Sequence, residues 1–281
     1  MQQIIFDSEY FNPQSVLECG QIFRFVPFKK GYLVFTTDKA CYLYSENGKT
    51  IVEFENAEDT SYFYNYFDLF NDYGEIVKKA QSFNVASLSQ AIEFGKGIRI
   101  LRQNEAETFI SFIISQNNFI PRIKSIIERI CQNLGDKKTF MDYEYYTFPS
   151  LKKLAEKDED FYFGLGAGYR AKFLSVSSKR LLNTDISELK NLNSVDLKKE
   201  LKTFLGVSDK VADCVMLFGF NRTDSFPVDT WLEKVYRDEF NGKEKNRKKI
   251  TEYFTDLFGK YSGYIQQYLF YCKRESDKKG G

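Results

Sequence analysis

The first third of the chain alternates short apolar runs with polar turns, a pattern typical of β-strands. Residues 32–35, 41–44 and 51–54 are rich in aromatic and β-branched side chains, which favour the pleated conformation. Asn47 and Gly48 separate the last two runs and tolerate the positive φ of a tight turn. This part of the chain is therefore predicted to form antiparallel strands.

Aromatic residues then recur at helical spacing. Such a stripe is compatible with stacking on nucleic-acid bases, but an aromatic helix face packed against a sheet is the commoner arrangement. Gly74 is predicted to end this helix. The residues of the stripe are Tyr62, Phe63, Tyr66, Phe67 and Phe70.

From about residue 100 to its end, the chain shows apolar positions at the helical period. One helix is predicted to stop before Pro121, because a proline disfavours the α conformation at Ile120. The next apolar stripe closes at Gly135. We therefore predict an α+β protein, with a mixed α/β sheet domain at residues 1–98 and an all-α domain at residues 99–281.

The segment from residue 197 to 218 is predicted to form two short helices joined by a tight turn. Leu197 and Leu201 share one helix face, and residues 205–208 are too few for anything but a hairpin turn. Ser208 is the expected N-cap of the second helix. Backbone N–H groups exposed at such a helix start bind phosphate, although most helix pairs of this kind are purely structural.

Chemically active side chains follow this turn directly. Lys210 and Cys214 are four residues apart and therefore share a helix face. The helix dipole disfavours an ammonium near its N-terminus, which favours a neutral, nucleophilic amine. The alternative is a solvated lysine that pairs with Asp213 three residues further on. Asp229 precedes another predicted helix, where a plain N-cap is the alternative to a chemical role.

Composition narrows the possible chemistry. The chain has 281 residues and no histidine, which excludes Ser-His-Asp and Cys-His catalysis and histidine metal sites. The net charge is only +1, but residues 46–75 contain eight acidic residues and one lysine, so they carry −7 and the rest carries +8. We interpret the acidic stretch as a solvated face that does not bind a polyanion. Residues 168–182 contain four basic residues and no acidic one.

The five cysteines are odd in number and include no C-x-x-C pair, which argues against a disulfide framework and against a zinc or iron–sulfur site. The N-terminus lacks the layout of a signal peptide, and no apolar run approaches the roughly 18 residues of a membrane span. We therefore expect a cytoplasmic protein with reduced thiols, no membrane association and a frayed end at residues 277–281.

Several motifs together resemble the helix-hairpin-helix DNA glycosylases of base excision repair. Residues 205–214 (LGVSDKVADC) and 227–229 (PVD) resemble the hairpin and Gly/Pro…Asp signature, and the letters KVADC indicate the 8-oxoguanine DNA glycosylase/AP lyase branch. Residues 19–24 (CGQIFR), 115–122 (SQNNFIPR) and 164–171 (GLGAGYRA) resemble three further elements of that family. The order of the motifs is also that of the family.

The resemblance implies an antiparallel-sheet (TBP-like) domain followed by an all-α helix-hairpin-helix glycosylase domain. It implies an enzyme that flips 8-oxoguanine, opposite cytosine, out of duplex DNA and excises it. Lys210 would attack C1′ of the sugar and leave a Schiff base, from which β-elimination cuts the strand. Asp229 would stabilise the positive charge that develops on the sugar. The implied enzyme is a nucleoid-associated monomer that needs duplex DNA containing oxidised guanine but no metal, cofactor or iron–sulfur cluster.

The same resemblance assigns a pocket for the flipped base. The carbonyl of Gly20 would accept the N7 proton of 8-oxoguanine, since the absent side chain permits close approach. Cys214 and Phe270 would hold the purine between them, and Gln266 would read its Watson–Crick edge. For Phe270 and Gln266, a core aromatic and a surface amide are the alternatives.

The remaining assignments concern the DNA around the lesion. Asn117, Arg122 and Arg170 would engage the orphaned cytosine, and Tyr169 would wedge into the gap in the duplex. The residues expected at the DNA backbone are Gly206, Ser208 and Trp231.

The sequence departs from the family pattern at four positions. Leu205 and Ser208 stand where the family commonly has proline and a second glycine, and Trp231 replaces a histidine that contacts phosphate. Phe119 replaces a polar residue beside the wedge. These changes bear on affinity and opposite-base selectivity more than on the reaction class.

Two other functions compete with this interpretation. A helix-hairpin-helix glycosylase with another lesion specificity is one, but its adenine- and pyrimidine-specific forms commonly carry a four-cysteine cluster after the hairpin, where this chain has only Cys272. A non-catalytic DNA-binding hairpin protein is the other, and it would need neither Lys210 nor Asp229.

Overall fold

The computed structural model describes residues 1–279, in which one antiparallel sheet is followed by a long series of helices. The strands are β1 (Gln2–Asp7), β2 (Phe25–Phe28), β3 (Gly31–Thr36), β4 (Lys39–Glu46), β5 (Lys49–Phe54), β6 (Lys137–Phe140) and β7 (Tyr143–Tyr146). The first α-helices are α1 (Pro13–Glu18), α2 (Thr60–Tyr66), α3 (Tyr73–Gln81), α4 (Ala86–Gly95), α5 (Glu105–Ser115) and α6 (Ile120–Leu134). The later ones are α7 (Leu151–Ala155), α8 (Glu159–Gly164), α9 (Arg170–Leu182), α10 (Ile186–Asn191), α11 (Ser194–Leu201), α12 (Asp209–Phe218), α13 (Thr230–Glu239), α14 (Arg247–Phe258) and α15 (Ser262–Lys279).

The predicted sheet is confirmed and has five strands, in the order β1-β5-β4-β3-β2. All neighbouring strands are antiparallel, and Val34 pairs with Cys41 in the centre. Asn47 and Gly48 adopt φ values of 50° and 75° at the β4–β5 turn, as their identities predict. The aromatic stripe packs on this sheet, where Phe63 lies 5.0 Å from Phe54 between ring centroids.

The helix predicted to run to Gly74 ends earlier. α2 stops at Tyr66, and Asp68 then turns the chain with a φ of 53°. The Asp68 carboxylate accepts a hydrogen bond from the hydroxyl of Tyr73 at 2.9 Å, which holds the start of α3 against this turn. Gly74 therefore lies inside α3, and Phe70 is 70% exposed rather than part of a buried stripe.

The acidic stretch is only partly a solvated face, which corrects the prediction from charge. Asp68 is buried and forms an ion pair with Arg102 at 2.6 Å. Asp59 is also buried and pairs with Lys39 at 2.6 Å. Both carboxylates therefore stabilise the fold, since a buried charge must be paired.

Two local predictions in the helical part are wrong. The helix predicted to stop before Pro121 does so, because α5 ends at Ser115, but Ile120 is itself helical as the first residue of α6, where Pro121 in the first turn needs no N–H partner. Strands β6 and β7 interrupt the part predicted to be all-α, and their turn places Met141 and Asp142 at φ values of 50° and 63° without a glycine. This small hairpin packs on the main sheet, with Phe35 and Tyr145 stacked at 4.8 Å.

The two predicted domains share a packed core. α4 precedes the predicted boundary at residues 98 and 99 yet packs against α15 at the other end of the chain. Residues 277–279 continue α15, so the frayed end predicted for them is wrong, and residues 280–281 lie outside the described part. Within the described part of the chain, no helix combines the length and the apolarity that a membrane span requires.

Candidate active site

The predicted hairpin is formed by α11, a tight turn and α12. Gly206 adopts a φ of 83° in this turn, and a Cβ there would lie 2.4 Å from the ring of Phe173 on α9. Only glycine therefore fits between the turn and α9. Ser208 caps α12 as predicted, because its Oγ accepts a hydrogen bond from the N–H of Val211 at 3.4 Å.

Lys210 lies in the first turn of α12 and is half-buried. Its Nζ is 5.5 Å from the ring centroid of Phe112, so an aromatic face covers one side of the amine. The alternative pairing with Asp213 is wrong, since Asp213 forms its ion pair with Lys198 at 2.7 Å. No carboxylate in the described part of the chain forms an ion pair with Lys210, which leaves this amine available for chemistry.

Asp213 instead connects three parts of the site. Its buried carboxylate binds Lys198 on α11, and the hydroxyl of Ser225 donates to its carbonyl at 3.1 Å and to its Oδ1 at 3.3 Å. Burial raises the pKa of Asp213 to about 6, although the Lys198 ammonium opposes this shift. Because Ser225 precedes the segment that ends at Asp229, Asp213 fixes α12 relative to that segment.

Asp229 is the N-cap of α13. Its Oδ1 accepts hydrogen bonds from the N–H groups of Trp231 and Leu232, both at 3.0 Å. Burial raises the pKa of Asp229, while these N–H groups and the nearby Lys210 ammonium oppose the shift. The cap interpretation is therefore correct, and it keeps the carboxylate in a fixed position within the electrostatic reach of Lys210.

The residues predicted to hold a flipped base converge from distant parts of the chain. Gly20 adopts a φ of 88°, and a Cβ there would lie 3.3 Å from the ring of Phe270. Cys214 is buried one helical turn after Lys210, and burial raises the pKa of its thiol to about 11. Cys214 is therefore an uncharged, apolar wall rather than a reactive thiolate.

Gln266 is buried, which overturns the surface-amide alternative. Its Nε2 donates to the carbonyl of Pro227 at 3.2 Å, two residues before Asp229. Phe270 lies one turn further along α15 and is only half-buried, so it is not a fully enclosed core residue. This amide and this ring therefore lie on the side of α15 that faces Gly20 and the start of α13.

The predicted opposite-strand residues form a second group. Tyr169 is 55% exposed, and Asn117 adopts a φ of 44° on the neighbouring loop. Arg122 donates to the carbonyl of Gly166 at 3.3 Å. Arg170 is buried and donates to the carbonyls of Gln116 and Asn117, the latter at 2.8 Å. In this conformation Arg170 shapes the Asn117 loop and does not extend its guanidinium into solvent.

The basic residues of the segment 168–182 also differ in their surroundings, because some contact other parts of the protein and others are exposed. Arg180 forms an ion pair with Glu200 at 2.7 Å, so it joins α9 to the hairpin. Lys172 and Lys179 are exposed on α9. Trp231, which stands in place of a family histidine, lies 4.7 Å from the Nζ of Lys234.

Direct contacts connect the two groups. Tyr169 packs edge-on against Phe173 at 5.8 Å, and Phe173 covers Gly206 of the hairpin. The hairpin carries Lys210, and the Pro227 carbonyl links the Asp229 segment to α15. These contacts join the hairpin with Lys210 to the exposed Tyr169 on one side and join the segment with the buried Asp229 to α15 on the other.

Sequence reasoning missed two residues beside these contacts. Arg274 packs its guanidinium 5.2 Å from the Phe270 ring and donates to the carbonyl of Glu18. Gln267 donates to the Oε1 of Gln266 at 2.7 Å. The i,i+4 spacing of Arg274 from Phe270 was a usable signal, but nothing in the sequence distinguishes Gln267 from a surface glutamine.

Two family models match the chain consecutively. Residues 3–109 match the model described as 8-oxoguanine DNA glycosylase, N-terminal domain, and residues 110–260 match the model described as HhH-GPD superfamily base excision DNA repair protein. A crystal structure of Clostridium acetobutylicum 8-oxoguanine glycosylase/lyase, bound to duplex DNA with cytosine opposite 8-oxoguanine, is 37% identical with a TM-score of 0.91 and covers 96% of this chain and 93% of that chain.

Two curated relatives agree with these matches. The chain is 31% identical to the "Probable N-glycosylase/DNA lyase" of Methanothermobacter thermautotrophicus over 211 residues, which are 68% of this chain and 68% of that protein. It is also 31% identical to the N-glycosylase/DNA lyase of Saccharomyces cerevisiae over 212 residues, which are 62% of this chain and 56% of that protein.

Proposed function

The chain belongs to the HhH-GPD superfamily of base excision DNA repair proteins and to its 8-oxoguanine DNA glycosylase/lyase family, and on this premise we propose that it excises 8-oxoguanine opposite cytosine through a covalent bond to Lys210. The N-terminal sheet, the hairpin domain and the order of the motifs all agree with this family. Within it, the identity of the nucleophile, the opposite base and the strand-cutting step are our proposal.

The observation that carries the proposal is the state of Lys210. A lysine paired with a carboxylate is a poor nucleophile, because the pairing stabilises its ammonium form. The one acidic residue at helical spacing from Lys210, Asp213, is occupied by Lys198 at 2.7 Å. Lys210 lies instead in the first turn of α12, half-buried beside the Phe112 ring, and no carboxylate among the described residues forms an ion pair with it.

The reaction then follows in two steps. The Lys210 amine forms a bond to C1′ while the bond from C1′ to the base nitrogen breaks, and the base departs with the electron pair. The attached nitrogen then loses one proton, which the departed base takes up. The sugar ring opens as the C1′–O4′ bond breaks and O4′ gains a proton from water, which leaves an iminium, the Schiff base. Removal of a C2′ proton next expels the 3′ phosphate and cuts the strand. Asp229, held by its two N–H bonds, stabilises the positive charge on the sugar.

Base recognition is proposed to use the slot between Cys214 and Phe270. An uncharged thiol wall and a half-buried ring accept the two faces of a purine. The carbonyl of Gly20 accepts a proton on N7, which 8-oxoguanine carries and guanine lacks. Gln266 reads the Watson–Crick edge, and because its amide is buried, a base that leaves it unpaired is strongly disfavoured.

On the intact strand, Asn117 and Arg122 are proposed to contact the orphaned cytosine, and Tyr169 fills the gap left by the flipped base. The buried Arg170 supports the Asn117 loop from behind. The partner is thus duplex DNA containing oxidised guanine, bound by a monomer. The proposed chemistry is supplied by an amine and a carboxylate, so it requires no resident metal or cofactor.

Borohydride trapping tests the proposal directly, since reduction of a Schiff base leaves the protein covalently attached to DNA. The wild-type protein is expected to be trapped on duplex DNA with 8-oxoguanine opposite cytosine. Lys210→Gln should abolish trapping while it leaves DNA binding intact. Lys199→Gln is the matched control, because Lys199 is an exposed lysine of the same hairpin.

The outcomes separate the competing functions. Undiminished trapping by Lys210→Gln would show that another amine is the nucleophile. Wild-type trapping on a different lesion, but not on 8-oxoguanine, would indicate a glycosylase of another specificity. Tight binding to lesion DNA without trapping would indicate a non-catalytic hairpin protein. Repeating the assay with each opposite base measures the preference for cytosine.

A further inference from the structure

The amide of Gln266 is engaged at both of its polar atoms. Its Nε2 donates to the carbonyl of Pro227 at 3.2 Å, and its Oε1 accepts from the Nε2 of Gln267 at 2.7 Å. Gln266 and Gln267 are 4% and 2% exposed, so water does not compete for these bonds. A short hydrogen-bonded series therefore runs from Gln267 through Gln266 to the backbone next to Asp229.

This series fixes which end of the Gln266 amide is nitrogen and which is oxygen. The carbonyl of Pro227 can only accept, so it favours the donor end of Gln266. The acceptor end then needs a donor, and Gln267 supplies one. An inverted amide would place two oxygens together at Pro227, and each buried oxygen would be left unsatisfied.

The engaged amide still has one N–H and one oxygen lone pair free, because the group has two donors and two acceptor positions. The Watson–Crick edges of guanine-type and adenine-type purines present opposite hydrogen-bonding patterns to this free N–H and lone pair. Guanine and 8-oxoguanine offer an acceptor at position 6 and a donor at N1. Adenine and its oxidised form offer a donor at position 6 and an acceptor at N1. One amide orientation therefore matches one purine type.

We infer that Gln267 is a positioning residue that locks the orientation of the Gln266 amide and thereby selects a guanine-type edge over an adenine-type edge. The inference rests on the proposed function, in which Gln266 faces the flipped base. Gln267 does not touch the base in this arrangement and acts only through its neighbour.

The state of Gln267 supports a role beyond its own stability. Its Oε1 is buried and has no hydrogen-bond partner among the described residues. An apolar side chain of similar size would avoid that unfavourable burial. The Gln267 amide donates a hydrogen bond to the oxygen of Gln266, while its own oxygen has no partner among the described residues. This is expected for a residue whose role is to position its neighbour.

The experiment measures excision of 8-oxoguanine and of 8-oxoadenine, each opposite cytosine, by the full-length protein under single-turnover conditions. Gln267→Met removes the donor and keeps the volume, and Gln267→Ala is a second variant. Both are expected to lower the 8-oxoguanine to 8-oxoadenine ratio about tenfold, because a freed amide accepts either edge. In a Gln266→Met background, the same substitutions should change the ratio less than about twofold, since the residue then has nothing to orient.

Tyr268→Phe is the matched control. Tyr268 is buried next to Gln267 on α15, and its hydroxyl also lacks a partner among the described residues, so its removal should leave the ratio unchanged. Trapping on DNA with a preformed abasic site reports folding and the Lys210 amine without base reading, and it should be retained by every variant that is folded.

Three outcomes would overturn the inference. An unchanged ratio in both folded Gln267 variants would show that Gln266 orients itself. An equal fall in the Gln266→Met background would show that Gln267 acts through general packing. If the wild-type protein is trapped on abasic DNA but does not excise 8-oxoguanine, the proposed substrate is wrong and this inference fails with it. If the wild-type protein does excise 8-oxoguanine and one of the two preceding outcomes is found, only the inference fails.

Discussion

The hairpin and the base pocket are adjacent, but they are held in place by different kinds of contact. In the hairpin and at the start of α13 the fixing bonds are local, since Ser208 caps α12 through the N–H of Val211 and Asp229 caps α13 through the N–H of Trp231. In the base pocket the fixing contacts join segments that are far apart in the sequence. Gly20 lies against Phe270, and Gln266 on α15 bonds to the carbonyl of Pro227.

This difference between local and long-range contacts corresponds to two proposed tasks, which are the chemistry and the recognition of the base. The proposed chemistry depends on side chains whose positions follow from helix starts, so it is tied to short motifs. The proposed recognition of the base depends on three segments brought together by packing, so it can change without altering those motifs. The regions meet at one point, since the Pro227 carbonyl belongs to the Asp229 segment and binds the recognition amide. Substitutions on either side of this point should therefore separate activity from selectivity.

The largest effect is expected from Asp229→Asn. Asparagine caps a helix about as well as aspartate, so the free energy of unfolding should change by less than about 0.5 kcal/mol. Loss of the carboxylate charge should lower the excision rate about 10²- to 10³-fold, because the charge on the sugar is then uncompensated. Single-turnover kinetics and urea denaturation measure the two quantities. Full activity in this variant would reduce Asp229 to a structural cap.

Gly20→Ala should damage the pocket and spare the hairpin. The new Cβ would lie 3.3 Å from the Phe270 ring, at a φ of 88° that strains any side chain. We expect excision of 8-oxoguanine to fall about 100-fold, in line with one methyl group too many in a shaped pocket. Borohydride trapping on preformed abasic DNA should stay close to wild type.

Gly48→Ala controls for backbone strain in this experiment. Gly48 has a φ of 75° at the β4–β5 turn, and a Cβ there meets no atom within 4 Å. It should lose stability by a similar amount and keep full excision. Equal losses of activity in the two variants would mean that strain, and not the pocket, explains the effect.

Asp213→Asn tests the connection between the hairpin and the Asp229 segment through pH. The pKa of Asp213 is raised to about 6 from an ordinary value of 3.8, because burial disfavours its carboxylate. Native protein therefore holds a proton between about pH 4 and 6 that unfolded protein has lost. The stabilisation from this group is complete below about pH 4 and is lost as the pH rises through about 6. The advantage of wild type over the variant should shrink across that window by an amount of the order of 3 kcal/mol.

Asp196→Asn is the matched control for the pH experiment. Hydrogen bonds from Lys199 and Asn193 lower the pKa of this exposed carboxyl on α11. Its stabilisation is present above its ordinary pKa and is lost as the pH falls, so the sign is opposite to that of Asp213. Urea denaturation between about pH 2 and 7 measures both, because the Asp196 contribution is lost only below its ordinary pKa of 3.8. The same slope in the two variants would refute the assigned environment of Asp213.

The smallest effect is expected from Ser208→Ala, which removes the cap of α12. The free energy of unfolding should fall by about 1 kcal/mol, and DNA binding should weaken about two- to fivefold through the lost helix-terminal geometry. Ser150→Ala removes a cap with the same 3.4 Å hydrogen bond at the start of α7, away from the hairpin. It should cost the same stability and leave binding unchanged. Fluorescence anisotropy with undamaged duplex DNA would detect the difference.

The motifs made much of the candidate site predictable, because cap residues and helical spacing act over a few positions. Ser208, Gly206 and Asp229 occupy the positions that the sequence predicts. The errors arose where a distant partner decides. Asp213 is three residues from Lys210 but binds Lys198. For Gln266 the surface-amide alternative stayed open in the sequence and is rejected only by its burial against the Pro227 carbonyl. Strands β6 and β7 also escaped prediction, since their turn lacks a glycine.

The sequence by itself determined the central strands, the two helices of the hairpin, the caps Ser208 and Asp229 and, through its motifs, the family to which the chain belongs. The strands, helices and caps depend on local backbone preferences and on the period of apolar positions. The tertiary structure decided that Asp213 pairs with Lys198 and leaves Lys210 unpaired among the described residues, which amide accepts the hydrogen bond from Gln267, and which ring lies against Gly20. Such choices are made among partners far apart in the chain, and only packing brings the competing groups within hydrogen-bond distance of one another.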